Sequence, residues 1–279
     1  MHGSARENEQ MPSHRFVYPS ERRLQLMVGR VNAVAGFAEL SIRRFLHESK
    51  EPANPVTQLK ALSDCYGVSV SHVDCGLLKL RTNQLHLVSI DQVFEDFLRA
   101  FSKEHPALSG LEDRTNAETL LKYFLSDVVS TAEFDETENL QRDLVEHYHS
   151  VRNRFAHASR KKSPDVTVLQ ERTKAILVLS KREAPHTYRE ITYDDVVAFA
   201  WSVLGLARAL CARSQPTPSE IAKMVLALDG EPDSGVKLRD YKSREPDRRR
   251  HGLQGLLSTL YSLDAESADS VIRELDMGC

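Results

Sequence analysis

Histidine and arginine side chains cluster in one short segment near the middle of the chain. At helical spacing, His149, Asn153 and His157 fall on one face, with Arg152 beside them. A guanidinium binds phosphate oxygens through paired hydrogen bonds, and imidazole gains or loses a proton near neutral pH. The set therefore suits phosphodiester chemistry, and a ribose 2′-hydroxyl as the nucleophile would need no metal ion. The alternative is that these are incidental polar residues on a surface helix.

Charge changes sign at this segment. From Asp127 to Glu146 the chain has seven acidic residues and one basic residue, whereas from Ser150 to Glu190 it has ten basic residues and four acidic ones. The basic run includes Arg160, Lys161 and Lys162, which are predicted to contact phosphates. The alternative is a solvated basic face. The net charge of −3 hides this separation.

Apolar periodicity predicts the helices that must position the segment. Helical stripes run from residue 21 to 47, from Ser89 to Phe101, from Thr115 to 128, from Leu140 to about Ala158, and from Thr192 to Cys211. In the fourth of these helices Tyr148, Val151 and Phe155 would point into the core, so the polar set would face outward. Residues 56–87 look irregular, with extended segments near 68–71 and 85–88.

The predicted fold is mainly all-α. A disordered segment (1–20) precedes a helical bundle (21–213), and a helical appendage (214–279) follows it. A small β excursion, with strands at 175–179 and 187–191, precedes the last helix of the bundle. In the appendage, a charged loop is expected at 237–251, where Arg248–Arg250 could instead touch nucleic acid. The 279 residues, 41% hydrophobic, suffice for one or two domains.

The six residues from Arg152 to His157, R-N-R-F-A-H, resemble the R-N-x-x-x-H signature of HEPN domains (higher eukaryotes and prokaryotes nucleotide-binding). Their place at the end of the penultimate long helix of an α bundle adds to this resemblance. The family includes metal-independent endoribonucleases in toxin–antitoxin, phage-defence and RNA-processing systems. It also includes members that have lost catalysis and act in binding.

The resemblance implies cleavage of RNA by its own 2′-hydroxyl, leaving a 2′,3′-cyclic phosphate. His157 would be the general acid or base, Arg152 would stabilise the transition state, and Asn153 would position the histidine or the phosphate. His149, Arg154 and Glu95 are secondary candidates, although Glu95 on its helix is more simply a solvated residue. Active members of the family dimerise to form a composite site. This fits the sequence, because side chains five residues apart on a helix diverge by about 140°. Either the helix loosens at its end, or a second subunit completes the site.

Three functions remain open from the sequence. The first is a HEPN-type ribonuclease, acting in defence or stress response. The second is a catalytically inactive HEPN-like module that binds RNA, nucleotide or a protein partner such as an antitoxin. The third is a structural helical interaction protein. No metal site or cofactor is predicted, because the chain lacks metal-ligand spacings and nucleotide-binding loops. A cytoplasmic protein without a membrane segment is expected.

Overall fold

The computed structural model describes residues 16–48, 55–70, 74–105, 117–129, 134–157, 166–176, 179, 181–231 and 236–277. All regular elements in these ranges are helices, which confirms the prediction of a mainly all-α protein. They are α1 (Pro19–Glu48), α2 (Pro55–Tyr66), α3 (Cys75–Glu104), α4 (Ala117–Tyr123), α5 (Glu136–His157), α6 (Val166–Lys174), α7 (Tyr193–Arg213), α8 (Pro218–Leu228), α9 (Arg239–Lys242), α10 (Pro246–Tyr261) and α11 (Ala265–Met277). A π-helical turn, Phe124–Val128, continues α4.

The predicted β excursion is not found in the part of 175–191 that the structure describes. Ala175, Ile176 and Leu179 form turns, and residues 181–192 form turns and irregular backbone. Leu179 and Ile191 are buried singly rather than in alternation. Short apolar runs of this kind serve equally well as anchors for a loop, because burial of isolated side chains requires no ladder of backbone hydrogen bonds.

Residues 56–87 are more regular than the sequence predicted. They contain α2 and the first half of α3, which begins at Cys75 rather than Ser89. Leu85 is exposed and Leu87 is buried, so the apparent alternation is one turn of an amphipathic helix. The predicted N-terminal disorder does not extend over residues 16–20, because Phe16, Tyr18 and Ser20 are buried. Residues 1–15 lie outside the described ranges.

The chain divides into two units by its contacts. The larger unit comprises Arg23–Ala100 and Thr115–Leu210, and the smaller unit comprises Met1–Arg22, Phe101–Arg114 and Cys211–Cys279. In the larger unit, Tyr148 of α5 packs on Phe199 of α7 with 5.1 Å between ring centroids. A Cβ at Gly205 would overlap the side-chain amide of Gln141, so glycine lets α7 approach α5 here without displacing this side chain.

A single buried carboxylate fixes the segment that precedes α7 in the larger unit. Asp195 is fully buried and accepts hydrogen bonds from the hydroxyl of Tyr148 (3.0 Å) and from the backbone N–H of His186 (2.7 Å). Its other oxygen accepts from Nδ1 of His186 (2.8 Å) and from the N–H and hydroxyl of Thr192 (2.8 and 3.0 Å). The sequence predicted a helix that begins at Thr192, but not the bonds from His186 and Tyr148 to Asp195.

The smaller unit has an aromatic core. Tyr18 packs edge-on against Phe101 with 4.8 Å between ring centroids, and Phe16 stacks on Tyr261 at 5.0 Å. Helix α8 begins with a capping box in which the hydroxyl of Thr217 accepts from the N–H of Glu220 and the Glu220 carboxylate accepts from the N–H of Thr217. Helices α10 and α11 pack against each other.

The expected charged loop at 237–251 is partly helical. Residues 248–250 lie in the first turns of α10, where Arg249 pairs with Asp276 and Arg250 pairs with Asp269 of α11. Proline at the first position of α10 favours this helix start.

Helix α7 is long and apolar enough to cross a membrane by its length and composition alone. Its most apolar window has a mean hydropathy of 1.6, but 67% of that window is buried inside the protein. The core helix of a water-soluble protein has the same properties.

Candidate functional site

Arg152 lies against α3, where two carboxylates one helical turn apart hold its guanidinium. Nε of Arg152 lies 2.9 Å from Oδ2 of Asp91 in an ion pair without hydrogen-bond alignment, and Nη2 donates to Oε1 of Glu95 at 3.2 Å. The Asp91 side chain is 2% exposed and that of Arg152 is 15% exposed. Buried pairs of this kind are screened much less by water than surface pairs are. The guanidinium is therefore fixed in place.

Asn153 provides the third contact of this arginine. Its Oδ1 accepts from Nη1 of Arg152 at 2.9 Å. A guanidinium has five N–H donors. Asp91 pairs with Nε, Glu95 accepts one N–H of Nη2, and Asn153 accepts one N–H of Nη1. One N–H on each terminal nitrogen therefore has no partner among the described residues. An N–H on each terminal nitrogen is the donor pair with which a guanidinium binds two oxygens of one phosphate.

His149 lies one turn before Arg152 and shares its carboxylate. Nδ1 of His149 donates to Oδ1 of Asp91 at 3.0 Å, so a neutral His149 carries its lone pair on Nε2. The sequence predicted that this polar face points outward beside the basic segment. That prediction is wrong for His149 and Arg152, since both face α3 and are largely covered. Periodicity shows which residues share a face, but it does not show which element covers that face.

His147 is turned into the core and is not available for proton transfer. It is fully buried, and burial lowers its pKa because the charged form would be desolvated. Its Nε2 lies 3.0 Å from the carbonyl oxygen of His186. Because a carbonyl only accepts, Nε2 carries the proton. This histidine is therefore structural, and His149 and His157 remain the candidates.

Arg154 and Phe155 point away from the carboxylates. The guanidinium of Arg154 lies 4.4 Å from the ring centroid of Tyr188, and that of Arg81 lies 5.3 Å from the ring of Phe155. Phe155 is half-buried rather than fully in the core. Arg154 is therefore not brought to the Arg152 site but to a neighbouring surface.

The remaining predicted residues lie at or beyond the end of α5. His157 is the last residue of this helix, and its side chain lies outside what the structure describes. Arg160, Lys161 and Lys162 lie outside the described residues altogether. The structure thus brings together Arg152, Asn153, His149 and Glu95 of the predicted set.

Three side chains at this site, those of Asp91, Glu95 and His149, could also hold a metal ion by their type and their distances. Ligand atoms of Asp91, Glu95 and His149 lie within 4.8 Å of one another. However, the Arg152 guanidinium contacts both carboxylates and already supplies the positive charge between them. A divalent cation would have to displace that guanidinium, because the two charges would repel at this distance.

Asp91 is the site residue that the sequence reasoning missed. The available signal was its spacing, since Asp91 and Glu95 are four residues apart and share a face of α3. Asp96, by contrast, is exposed and accepts a hydrogen bond from Gln92 at 3.1 Å. A buried carboxylate one turn from another in an otherwise apolar face indicates a cationic partner.

Comparisons of the chain with protein-family models, curated proteins and solved structures find no match. Membership of the HEPN family therefore stays a prediction that rests on residues 152–157 and their place on a helix.

Proposed function

We propose that this protein is a metal-independent endoribonuclease of the HEPN type. The observation that carries the proposal is the fixed guanidinium of Arg152, which has one N–H on each terminal nitrogen without a partner among the described residues. An arginine held in this way stabilises developing charge without having to reorganise during the reaction. RNA is the proposed substrate, and defence or stress response in the cytoplasm is the proposed setting.

In the proposed reaction, the ribose 2′-hydroxyl attacks the adjacent phosphorus and the 5′-oxygen leaves. A base takes the proton of the 2′-hydroxyl, and an acid gives a proton to the leaving oxygen. His157 takes one of these roles, and His149 is the second candidate because its Nδ1–H is held by Asp91. Asn153 fixes one terminal nitrogen of Arg152.

We propose a homodimer with a composite site. Arg152 and His157 diverge on one helix by about 140°, so the histidine that meets Arg152 would come from a second copy. An apolar stripe on α1 offers an interface, since Val34 is 61%, Phe37 is 74% and Leu40 is 69% exposed. Exposed large apolar side chains that adjoin one another on a helix are typical of interfaces.

Cleavage of RNA in EDTA tests the reaction. The wild type is expected to produce 2′,3′-cyclic phosphate and 5′-hydroxyl ends, read by mass spectrometry, and to leave a substrate with 2′-deoxy sugars intact. Arg152→Ala and His157→Ala are each expected to lose at least about 100-fold in rate, the usual scale for one charge-stabilising or acid–base group. Arg248→Ala and His251→Ala, exposed in the smaller unit, serve as matched controls. Undiminished cleavage by the His157 variant would overturn the proposal.

Mixing the two inactive variants tests the composite site. If Arg152 of one copy works with His157 of another, a heterodimer of Arg152→Ala and His157→Ala chains regains one intact site. Equal mixing should then restore up to about a quarter of the wild-type activity. A site within one chain would give no recovery.

One observation favours the second function, a catalytically inactive binding module. Asp91 and Glu95 carry two negative charges against the one positive charge of Arg152, which weakens its attraction for phosphate. RNA binding without cleavage in EDTA would support that module, including one regulated by a protein partner. If the protein neither binds nor cleaves RNA, the third function, a structural helical interaction protein, would remain.

A further inference from the structure

Three arginines and two aromatic rings form one surface of the larger unit. We call it the Arg–aromatic surface, and its members are Arg81 of α3, Arg154 and Phe155 of α5, and Tyr188 and Arg189 of the segment before α7. The guanidiniums of Arg154 and Arg189 lie 4.4 and 5.4 Å from the ring centroid of Tyr188. That of Arg81 lies 5.3 Å from the ring of Phe155.

Hydrogen bonds through Gln84 join the two ring clusters into one surface. Nη1 of Arg81 donates to Oε1 of Gln84 at 3.1 Å, and Nε2 of Gln84 donates to the backbone oxygen of Tyr188 at 2.7 Å. Gln84 itself is buried, whereas Arg81 and Arg189 are exposed and Tyr188 is half-buried. The surface is therefore accessible at Arg81 and Arg189 and partly accessible at Arg154, Phe155 and Tyr188, while the connecting Gln84 is protected.

The charge of this surface is not neutralised within the described residues. Arg81, Arg154 and Arg189 have no carboxylate partner there, whereas other arginines of the same unit, such as Arg172 and Arg182, pair with aspartates. The neighbouring acid, Glu190, accepts a hydrogen bond from Thr187 at 2.9 Å. Guanidiniums that lie near aromatic rings without counter-charges attract phosphates and can contact a base together with the ring.

We propose that the Arg–aromatic surface binds unpaired nucleotides of a single-stranded nucleic acid. Alternating rings and guanidiniums match a strand whose bases are unstacked and whose phosphates follow at regular intervals. A duplex hides its bases and offers only phosphates to such a surface. The choice of RNA over DNA rests on the proposed function, and the binding itself does not require cleavage.

Direct binding measurements test this surface. The full chain carrying His157→Ala binds a fluorescent single-stranded RNA, the same sequence as DNA, and the RNA duplex, and anisotropy gives each Kd. We expect single strands to bind at least 10-fold more tightly than the duplex. The RNA and DNA arms tell which sugar the surface accepts. A duplex bound as tightly as a single strand would overturn the proposal.

Substitutions then locate the binding. Arg154→Ala with Arg189→Ala should weaken single-strand binding about 5- to 100-fold, the range for loss of one to two stacking contacts. Each arginine removed should also lower the slope of log Kd against log salt by about 0.7. Tyr188→Phe keeps the ring and loses only the hydroxyl that accepts from Nε of Arg189 at 2.8 Å, so it should bind far more like the parent than Tyr188→Ala does. Thermal unfolding of each variant verifies that it folds.

Arg248→Ala removes an equal charge elsewhere on the chain and serves as the control. Equal weakening by this control would show non-specific attraction and overturn the proposal. If the wild type does not cleave RNA but this binding pattern holds, the proposed function fails and the surface stands. If cleavage occurs and the double arginine variant binds like the parent, the surface fails and the proposed function stands.

Discussion

Replacement of Asp91 by asparagine removes the charge that holds Arg152 and His149 while it keeps the shape of the side chain. Loss of one partner from a fully buried ion pair costs about 3–5 kcal/mol. Arg152 is 15% exposed and keeps its bonds to Glu95 and Asn153, so water and these partners recover part of the loss. We therefore expect Asp91→Asn to lower the free energy of unfolding by about 2–3 kcal/mol.

Urea denaturation measures this loss, and thermal unfolding should show a Tm lower by about 5–10 °C. Asp96→Asn makes the same substitution at an exposed position of the same helix and should change the unfolding free energy by less than about 0.5 kcal/mol. A double-mutant cycle with Arg152→Gln isolates the pair, with an expected coupling of about 1.5–3 kcal/mol. An Asp91 variant as stable as the Asp96 variant, or a cycle without coupling, would refute the reasoning.

Gly205→Ala should lower the free energy of unfolding by about 1–2 kcal/mol, because its Cβ meets Gln141. In a Gln141→Ala background the same change should instead raise the free energy of unfolding by up to about 1 kcal/mol. A change of the same sign in both backgrounds, measured by urea denaturation, contradicts this. The hydrogen bond to Asp195 raises the pKa of His186. The stability that protonated His186 gains from Asp195 is therefore complete below the usual imidazole pKa of about 6.5. It is lost as the pH rises through the raised pKa of His186. The difference in unfolding free energy between wild type and His186→Asn should shrink from pH 5 to pH 9, and a constant difference would count against it. Thr217→Ala should lower the free energy of unfolding by about 1 kcal/mol in a urea titration, and Thr217→Ser by much less, since serine keeps the cap of α8. Equal losses in the two variants would show that the cap does not stabilise α8.

Apolar periodicity predicts the helices of the larger unit's core well. Leu144 and Tyr148 of α5 and Phe199 of α7 are buried as their spacing indicates, because an amphipathic helix of this length has one stable way to hide its stripe. Residues 56–87 and 175–191 were less predictable. Their apolar runs are short, and a run of four or five residues fits a strand, a helix or an anchored loop equally well.

The candidate site could be predicted in its residues but not in its surroundings. The spacing of His149 and Arg152 correctly places them one turn apart. It carries no information on α3, which lies about 60 residues earlier in the chain and provides Asp91 and Glu95. Such pairs arise from tertiary packing, and a single sequence shows only that a buried carboxylate must find a cation somewhere.

The hydrogen bonds of Asp195 order the loop between His186 and Thr192 before any ligand binds. A loop that becomes ordered only on binding loses about 1–2 kcal/mol of backbone conformational entropy per residue at that moment. Here the bonds from His186 and Thr192 restrain the loop between them when the chain folds. Tyr188 lies on this loop, so a ligand that docks there meets a ring already in position. Its affinity is then set by the contacts it makes rather than by the cost of ordering the loop.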